Sequence, residues 1–275
     1  MGTHTIERRL GRCPSAPEKV AKRLQLTDFA DVPYILPKIP QDFGHEMVVP
    51  ARGWGMNLND KLGDCVIAGA YHEHKLWNAV AGRRFAYTDD RVLEMYEDIA
   101  GYDPNRPETD GGTDMAAAAS YRRRLGILDT RGKRHKIDAY VALEAGNWEQ
   151  LRVCMYLFGA AAIGMVFTDK NSDQFDAGKP WDYDPAAKPE GGHYVPAVGD
   201  RQGIISCVTW GALQGMTRKC YDKQVDEALG YVSKEYLTTK GKKTPEGFDL
   251  PALLKAVKAV TAVKEPDPGV VVVPT

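Results

Sequence analysis

Apolar positions along the 275-residue chain change their period near its middle. In the first half they recur at helical spacing. Val66, Ala70, Leu76, Trp77 and Val80 share one face of a helix expected over residues 64–81. Thr88 or Asp89 caps a second helix, carrying Val92, Leu93, Met95, Tyr96 and Ile99. Thr113 is expected to open a third, an alanine run that passes Tyr121 and Leu125 and stops at Gly126. The period then falls to two, with Ile137, Ala139, Val141 and Leu143 alternating as a strand. A helix over 148–158 and a buried strand over 161–167 follow. A loop rich in Pro, Asp and aromatic residues is expected over 169–190. Strands over 193–198 and 203–210, a segment from 216 to 237 and a capped helix near 249–260 complete the pattern. Helices first and sheet afterwards is the order of an α+β fold.

The two ends read differently. Pro14, Pro17, Pro33, Pro37, Pro40 and Pro50 punctuate the first residues, with one short helical candidate at 18–26. Proline fixes its own backbone and restricts the residue before it, so this region reads as an extended arm wrapped over a domain or a neighbour. At the far end Val270 to Val273 favour a strand added to a sheet edge. The expected organisation is an arm over 1–56, a domain over 57–260 and a tail over 261–275. Arm and tail are the expected contacts to a protein partner.

Composition narrows the function. With 36 basic against 37 acidic residues the formal charge is −1, which argues against nucleic acid or a membrane surface as a partner held by bulk charge. Hydrophobic residues at 43% suffice for a sizeable core. The longest apolar run, 153–167, is shorter than the roughly 18 residues a spanning helix needs, and the first residues lack a secretory apolar region. A cytoplasmic, reducing location with all five cysteines free is expected. The basic stretches 122–124 and 131–136 are expected to be solvated faces or contacts to an acidic partner. His72 and His74 lack further ligands at metal spacing, so no metal and no cofactor is expected. Glycine-rich phosphate loops are absent.

Two segments carry chemistry. In Asn59-Asp60-Lys61-Leu62-Gly63-Asp64-Cys65 a cysteine sits at the first turn of an amphipathic helix. The free N–H groups and helix dipole there favour a thiolate and can also donate to an oxyanion. Asn59 offers a second donor if the loop folds back. In Gly191-Gly192-His193-Tyr194-Val195-Pro196-Ala197-Val198-Gly199 a histidine opens an alternating strand, and Trp210-Gly211 ends the next. Taken alone, Cys65 reads as a small buried residue, and His193 as a core histidine about as often as a functional one.

Together the segments resemble the papain-like cysteine peptidase superfamily. There an amide side chain and Gly-x-Cys open the central helix, a His strand follows far downstream, and an Asn-Ser-Trp-Gly strand comes after it. The matches are Asn59, Gly63 to Cys65, His193 to Gly199 and Thr209-Trp210-Gly211, with Gly111-Gly112 before a helix as secondary support. The resemblance covers roughly residues 57–236. It implies a helix bearing Cys65 packed on an antiparallel sheet bearing His193. It implies Cys65 as nucleophile, His193 as general base and then acid, and Asn59 with the Cys65 N–H as oxyanion hole. Trp210 and Asp64 would be auxiliary, Trp210 shielding the histidine from water. A protein or peptide would be the substrate.

One position departs from the pattern. Val208 stands where the family has the asparagine that orients the histidine, and Val208 accepts no hydrogen bond. Thr209 is expected on the opposite face of its strand by the period of two. The alternative to a hydrolase is therefore a catalytically degenerate papain-like domain serving as a structural module. A bacteriophage virion component would be one example.

Overall fold

The computed structural model describes residues 8–16 and 37–261. The helical candidate at 18–26 and the valine-rich stretch at 270–273 lie outside them. Strands β1 (Arg12–Cys13) and β2 (Phe43–Gly44) precede helices α1 (Cys65–Val80) and α2 (Asp89–Ala100). Strand β3 (Thr113–Asp114) leads into α3 (Met115–Arg124), and β4 (Ile127–Leu128) pairs with β5 (Arg134–His135). Then come β6 (Ala139–Leu143), α4 (Trp148–Phe158), β7 (Ala161–Thr168) and α5 (Asp169–Asp176). The chain continues through β8 (Pro189–Arg201), β9 (Ile204–Thr209), β10 (Ala212–Thr217), α6 (Arg218–Gln224), β11 (Val225–Val232) and α7 (Leu250–Thr261).

The helical and strand periods read from the sequence recur here. The third helix begins two residues later than Thr113, because the Asp114 side chain accepts the Ala117 N–H and supplies the cap. The stretch 169–190 is not all loop. Thr168 and Asn171 form a capping box that starts α5, and Trp181 is fully buried.

The main sheet runs β10-β9-β8-β7-β11-β6 in antiparallel order, with β2 added to β8. Side chains alternate between its faces. Ile163, Met165, Phe167, Val195 and Ala197 pack toward α4 and α7. Ala162, Tyr194, Leu229 and Tyr231 pack toward α1 and α3 with Cys65 and Trp77. Gly69 allows α1 to lie close to β8, since a Cβ there would stand 2.2 Å from the Tyr194 ring. Among the described residues no helix is long and apolar enough to cross a membrane.

The basic run 122–124 is not a uniformly solvated face. Arg123 and Arg124 are exposed, but Arg122 is buried, because α3 turns one side onto α1 through Ala118 and Ala119 and Arg122 shares that side. Its guanidinium lies 2.6 Å from the Glu73 carboxylate and 4.5 Å above the Tyr231 ring. The Tyr194 hydroxyl donates to the other Glu73 oxygen at 2.6 Å. Burial pushes the Glu73 carboxyl up, against the opposing pull of Arg122 and Tyr194. This buried group ties α1, α3 and β8 together.

His72 and His74 point to different partners. His72 Nε2 donates to the Gly55 carbonyl at 2.9 Å and its ring meets Trp54 edge-on. Burial pushes His72 down to about 4, below the usual 6.5, so it is neutral in the folded state. The unfolded chain takes up the proton first on acidification. The stability from neutral His72 is therefore complete above about pH 6.5 and declines as pH falls toward 4, by about 2 kcal/mol at pH 5. Urea unfolding of His72→Asn, which keeps a donor for Gly55, should lose that much of the wild-type decline between pH 7 and 5. An unchanged pH dependence would refute the assignment.

Candidate active site

Cys65 opens α1 with Asp64 at its N-cap, as the Gly-Asp-Cys pattern implies. Both are buried. Both Asp64 oxygens lie out of contact with solvent, and burial holds its carboxyl well above the usual range. The Cys65 sulfur faces the backbone amides of Tyr194, Gly11 and Val66. Contact with the Tyr194 amide places Cys65 beside β8, one residue from His193.

His193 is fully buried among Phe167, Trp181 and Trp210. Trp210 lies flat on the imidazole, with ring centroids 4.5 Å apart and planes 16° from parallel. Trp210 and Gly211 both have positive φ and form the tight turn between β9 and β10. That turn places the indole over His193.

Thr209 is not on the far face. His193 Nε2 meets Thr209 Oγ1 at 2.8 Å. The pairing of β8 with β9 shifts register between Ala197 and Gly199, and Ala197 then pairs with Cys207. Ala197, Val195 and His193 thus share a face with Cys207 and Thr209, while Val208 packs with Trp54, Leu76 and Val198 on the other. A bulge of one residue is invisible to a period-of-two count. His193 Nδ1 has no hydrogen-bond partner among the described residues, and no hydrogen bond joins the ring to Cys65.

Asn59 reaches the cleft. Its Nδ2 donates to the Arg9 carbonyl at 3.2 Å and the Leu62 carbonyl at 3.1 Å, while its own carbonyl accepts the Arg9 N–H at 2.9 Å. The donor that would face an oxyanion is thus bonded to a backbone carbonyl of residues 8–15.

That segment, the described beginning of the arm, runs between β8 and β3. The Gly11 N–H donates to the Gly192 carbonyl at 3.2 Å, and the Gly11 carbonyl accepts the Thr113 N–H at 2.9 Å. β1 then pairs in parallel with β3. The approach is so close that a Cβ on Gly11 would stand 1.7 Å from the Gly63 oxygen, and one on Gly192 would stand 2.1 Å from the Arg12 oxygen. Arg8 lies over Phe175 and Trp210 and pairs with Asp176. Arg12 is buried, with Nη1 2.7 Å from Asp226 and Nη2 3.0 Å from Glu227. Burial works against its charge, but the two carboxylates outweigh it. Ser15 Oγ adds a bond to Glu227 at 2.7 Å.

With the segment in place the electrostatics differ from those expected at a helix N-terminus. Burial pushes the Cys65 thiol up to about 12, outweighing the amides that favour a thiolate. Burial pushes His193 down to about 3. Cys65 is therefore a thiol and His193 a neutral imidazole. All five cysteines are free, as expected. Thr209, the segment around Gly11 and the Asp226–Glu227 pair were missed in the sequence. The glycine doublets 111–112 and 191–192, which flank the segment, were the available signal.

No family model matches the chain, and no curated protein matches it. Solved structures do. Xylellain, a cysteine protease from Xylella fastidiosa, aligns at 13% identity with a TM-score of 0.57, covering 85% of this chain and 99% of that one. ProCathepsin B S9 from Trypanosoma congolense aligns at 11% identity and TM-score 0.56, covering 82% and 87%. A structure described for the mite allergens Blo t 1 and Der p 1 aligns at 15% and 0.51, covering 75% and 76%. With α1 bearing Cys65 packed on the antiparallel sheet that bears His193, the chain has the fold of the papain-like cysteine proteases.

Proposed function

We propose that the chain is a papain-like cysteine hydrolase acting on peptide or amide bonds, held latent by its own N-terminal segment. The observation that carries the reading is the placement of residues 8–15. An extended peptide lies across the Cys65 sulfur, hydrogen-bonded to β8 on one side and β3 on the other. A groove that holds this peptide has the width and donor pattern to hold another. Residues 8–15 of the arm over 1–56 serve as the latch, and 57–260 as the catalytic domain.

The chemistry follows from the polarity of the site. Thr209 accepts from His193 Nε2–H, which leaves Nδ1 as the nitrogen that takes the Cys65 proton. The sulfur attacks the substrate carbonyl carbon, and the oxyanion is held by Asn59 Nδ2 and the Cys65 backbone N–H. Collapse breaks the C–N bond while imidazolium Nδ1 returns its proton to the leaving amine. Water, deprotonated by Nδ1, then splits the thioester and restores the thiol. Asp226 and Glu227, which hold Arg12, favour a substrate with an arginine at the matching position.

The test is hydrolysis of an arginine-containing fluorogenic peptide after the latch is displaced by Gly11→Ala. Cleavage lost in Cys65→Ser and in His193→Ala supports the reading, and no cleavage above background refutes it. Within the active background, Thr209→Val should lower kcat by about 10- to 100-fold with little change in KM, through loss of one hydrogen bond to a charged ring. Thr209→Ser should retain most activity. Wild-type kcat in Thr209→Val would remove Thr209 from the mechanism.

The second reading is a degenerate domain used as a structural module, in a virion or another assembly. The occupied cleft and the raised Cys65 thiol favour it, and it predicts no hydrolysis in any of these variants.

A further inference from the structure

A cavity of about 690 Å³ lies behind the Cys65 helix, lined by none of the cleft residues. Its walls come from the end of α1, residues 83–86, the turn between β4 and β5, the 3-10 turn Lys234–Tyr236 and Lys242. Six cations line it: Arg83, Arg84, Arg131, Lys133, Lys234 and Lys242. Two carboxylates, Asp129 and Glu235, stand against them.

Both carboxylates are already engaged. Glu235 accepts from His135 Nδ1 at 2.5 Å, His74 Nδ1 at 2.8 Å and Asn78 Nδ2 at 2.7 Å. Asp129 accepts the Arg131 and Lys133 backbone N–H groups at 2.8 and 2.9 Å, and its other oxygen lies 3.3 Å from His135 Nε2. Arg83 is held by Asn78 and the carbonyls of Leu237 and Glu235. The side chains of Arg84, Arg131, Lys133, Lys234 and Lys242 have no ion pair among the described residues. In a chain of net charge −1, five unpaired cations around one cavity make a local field that attracts anions.

The ligand atoms of His74, His135 and Glu235 lie within 4.8 Å of one another, which suits a metal ion on distance alone. Both histidines already bond Glu235 through Nδ1, leaving His74 Nε2 buried without a partner, and the surrounding cations oppose a divalent cation. Several positive charges around one half-open cavity, with Ala86 and Leu237 as the apolar lining, suit a compact polyanion better. Among the described residues no Phe, Tyr or Trp ring lines the cavity to stack a base, and the His135 ring is held between Glu235 and Asp129.

We propose that this cavity is a binding site for an oligophosphate chain, free or carried by a nucleotide, recognised through Arg84, Arg131, Lys133, Lys234 and Lys242. The site is independent of the hydrolase chemistry. The floor that holds Lys234 is the turn whose Glu235 bonds His74 of α1, so the ligand would brace the helix that carries Cys65.

Calorimetric titration of the full chain with inorganic triphosphate at moderate salt tests the proposal. We expect saturable one-to-one binding in the micromolar range, with ATP binding comparably and adenosine not at all. Lys133→Ala and Lys234→Ala should each weaken binding by about tenfold or more. Lys219→Ala, on α6, should leave it unchanged. Triphosphate far tighter than ATP would assign the free chain, and ATP far tighter the nucleotide. Both support an oligophosphate site. No binding below millimolar concentration, adenosine binding as tightly as ATP, or a single-stranded oligonucleotide binding more tightly than triphosphate would overturn it. So would full affinity in the two lysine variants.

Discussion

Gly11→Ala should accelerate alkylation of Cys65 by on the order of 10³. The added Cβ would stand 1.7 Å from the Gly63 oxygen, a backbone atom that cannot retreat without moving the start of α1. The segment must leave the cleft instead. While it is seated, burial holds the Cys65 thiol at about 12, and near pH 8 only about one thiol in 10⁴ is ionised. Even a thiol at the ordinary value near 8.5 would be ionised to roughly a quarter under the same conditions, so this factor comes from uncovering alone, before any gain from His193. Mass-spectrometric mapping supplies internal controls. Cys154, Cys207 and Cys220 are buried away from the segment and should keep their slow rates. Equal acceleration at all of them would mean that the substitution loosens the whole fold.

Arg122→Met should destabilise the protein by about 3–5 kcal/mol, read as a shift of the urea unfolding midpoint. Removing the cation leaves Glu73 buried with only the Tyr194 hydroxyl to stabilise its charge. The double variant Arg122→Met/Glu73→Leu should recover much of that loss, because neither charge then remains to be compensated. Arg123→Met, one residue along and exposed, should shift the midpoint by less than about 0.5 kcal/mol. A similar shift for Arg122→Met would show that the Glu73 contact contributes little.

Much of this arrangement was legible before the structure. Helical and strand periods located α1, α2, α4 and β7, since each buries one continuous stripe or run against the sheet. The order Asn59, Cys65, His193, Trp210 located the candidate site, because residue type and element type agree at each position. What escaped were features set by tertiary contact. Arg122 reads as one of three solvated cations until α3 is placed on α1. Thr209 reads as facing away until the register shift in β8 is known. The arm reads as wrapped over a domain or a neighbour, and its described residues 8–15 lie on their own domain. Its proline content says that it is extended and nothing of where it lies. The sign of the Cys65 shift was reversed for the same reason. A helix N-terminus favours a thiolate only while solvent reaches it.

The central claim is that Cys65 and His193 form a working pair once the segment leaves. The pH dependence of Cys65 alkylation in Gly11→Ala, measured with and without His193→Ala, tests it most directly. The account predicts rapid alkylation persisting well below pH 7, where an imidazolium beside the sulfur keeps it ionised, and loss of that low-pH arm in the double variant. A single titration near 8.5, the same with and without His193, would contradict it.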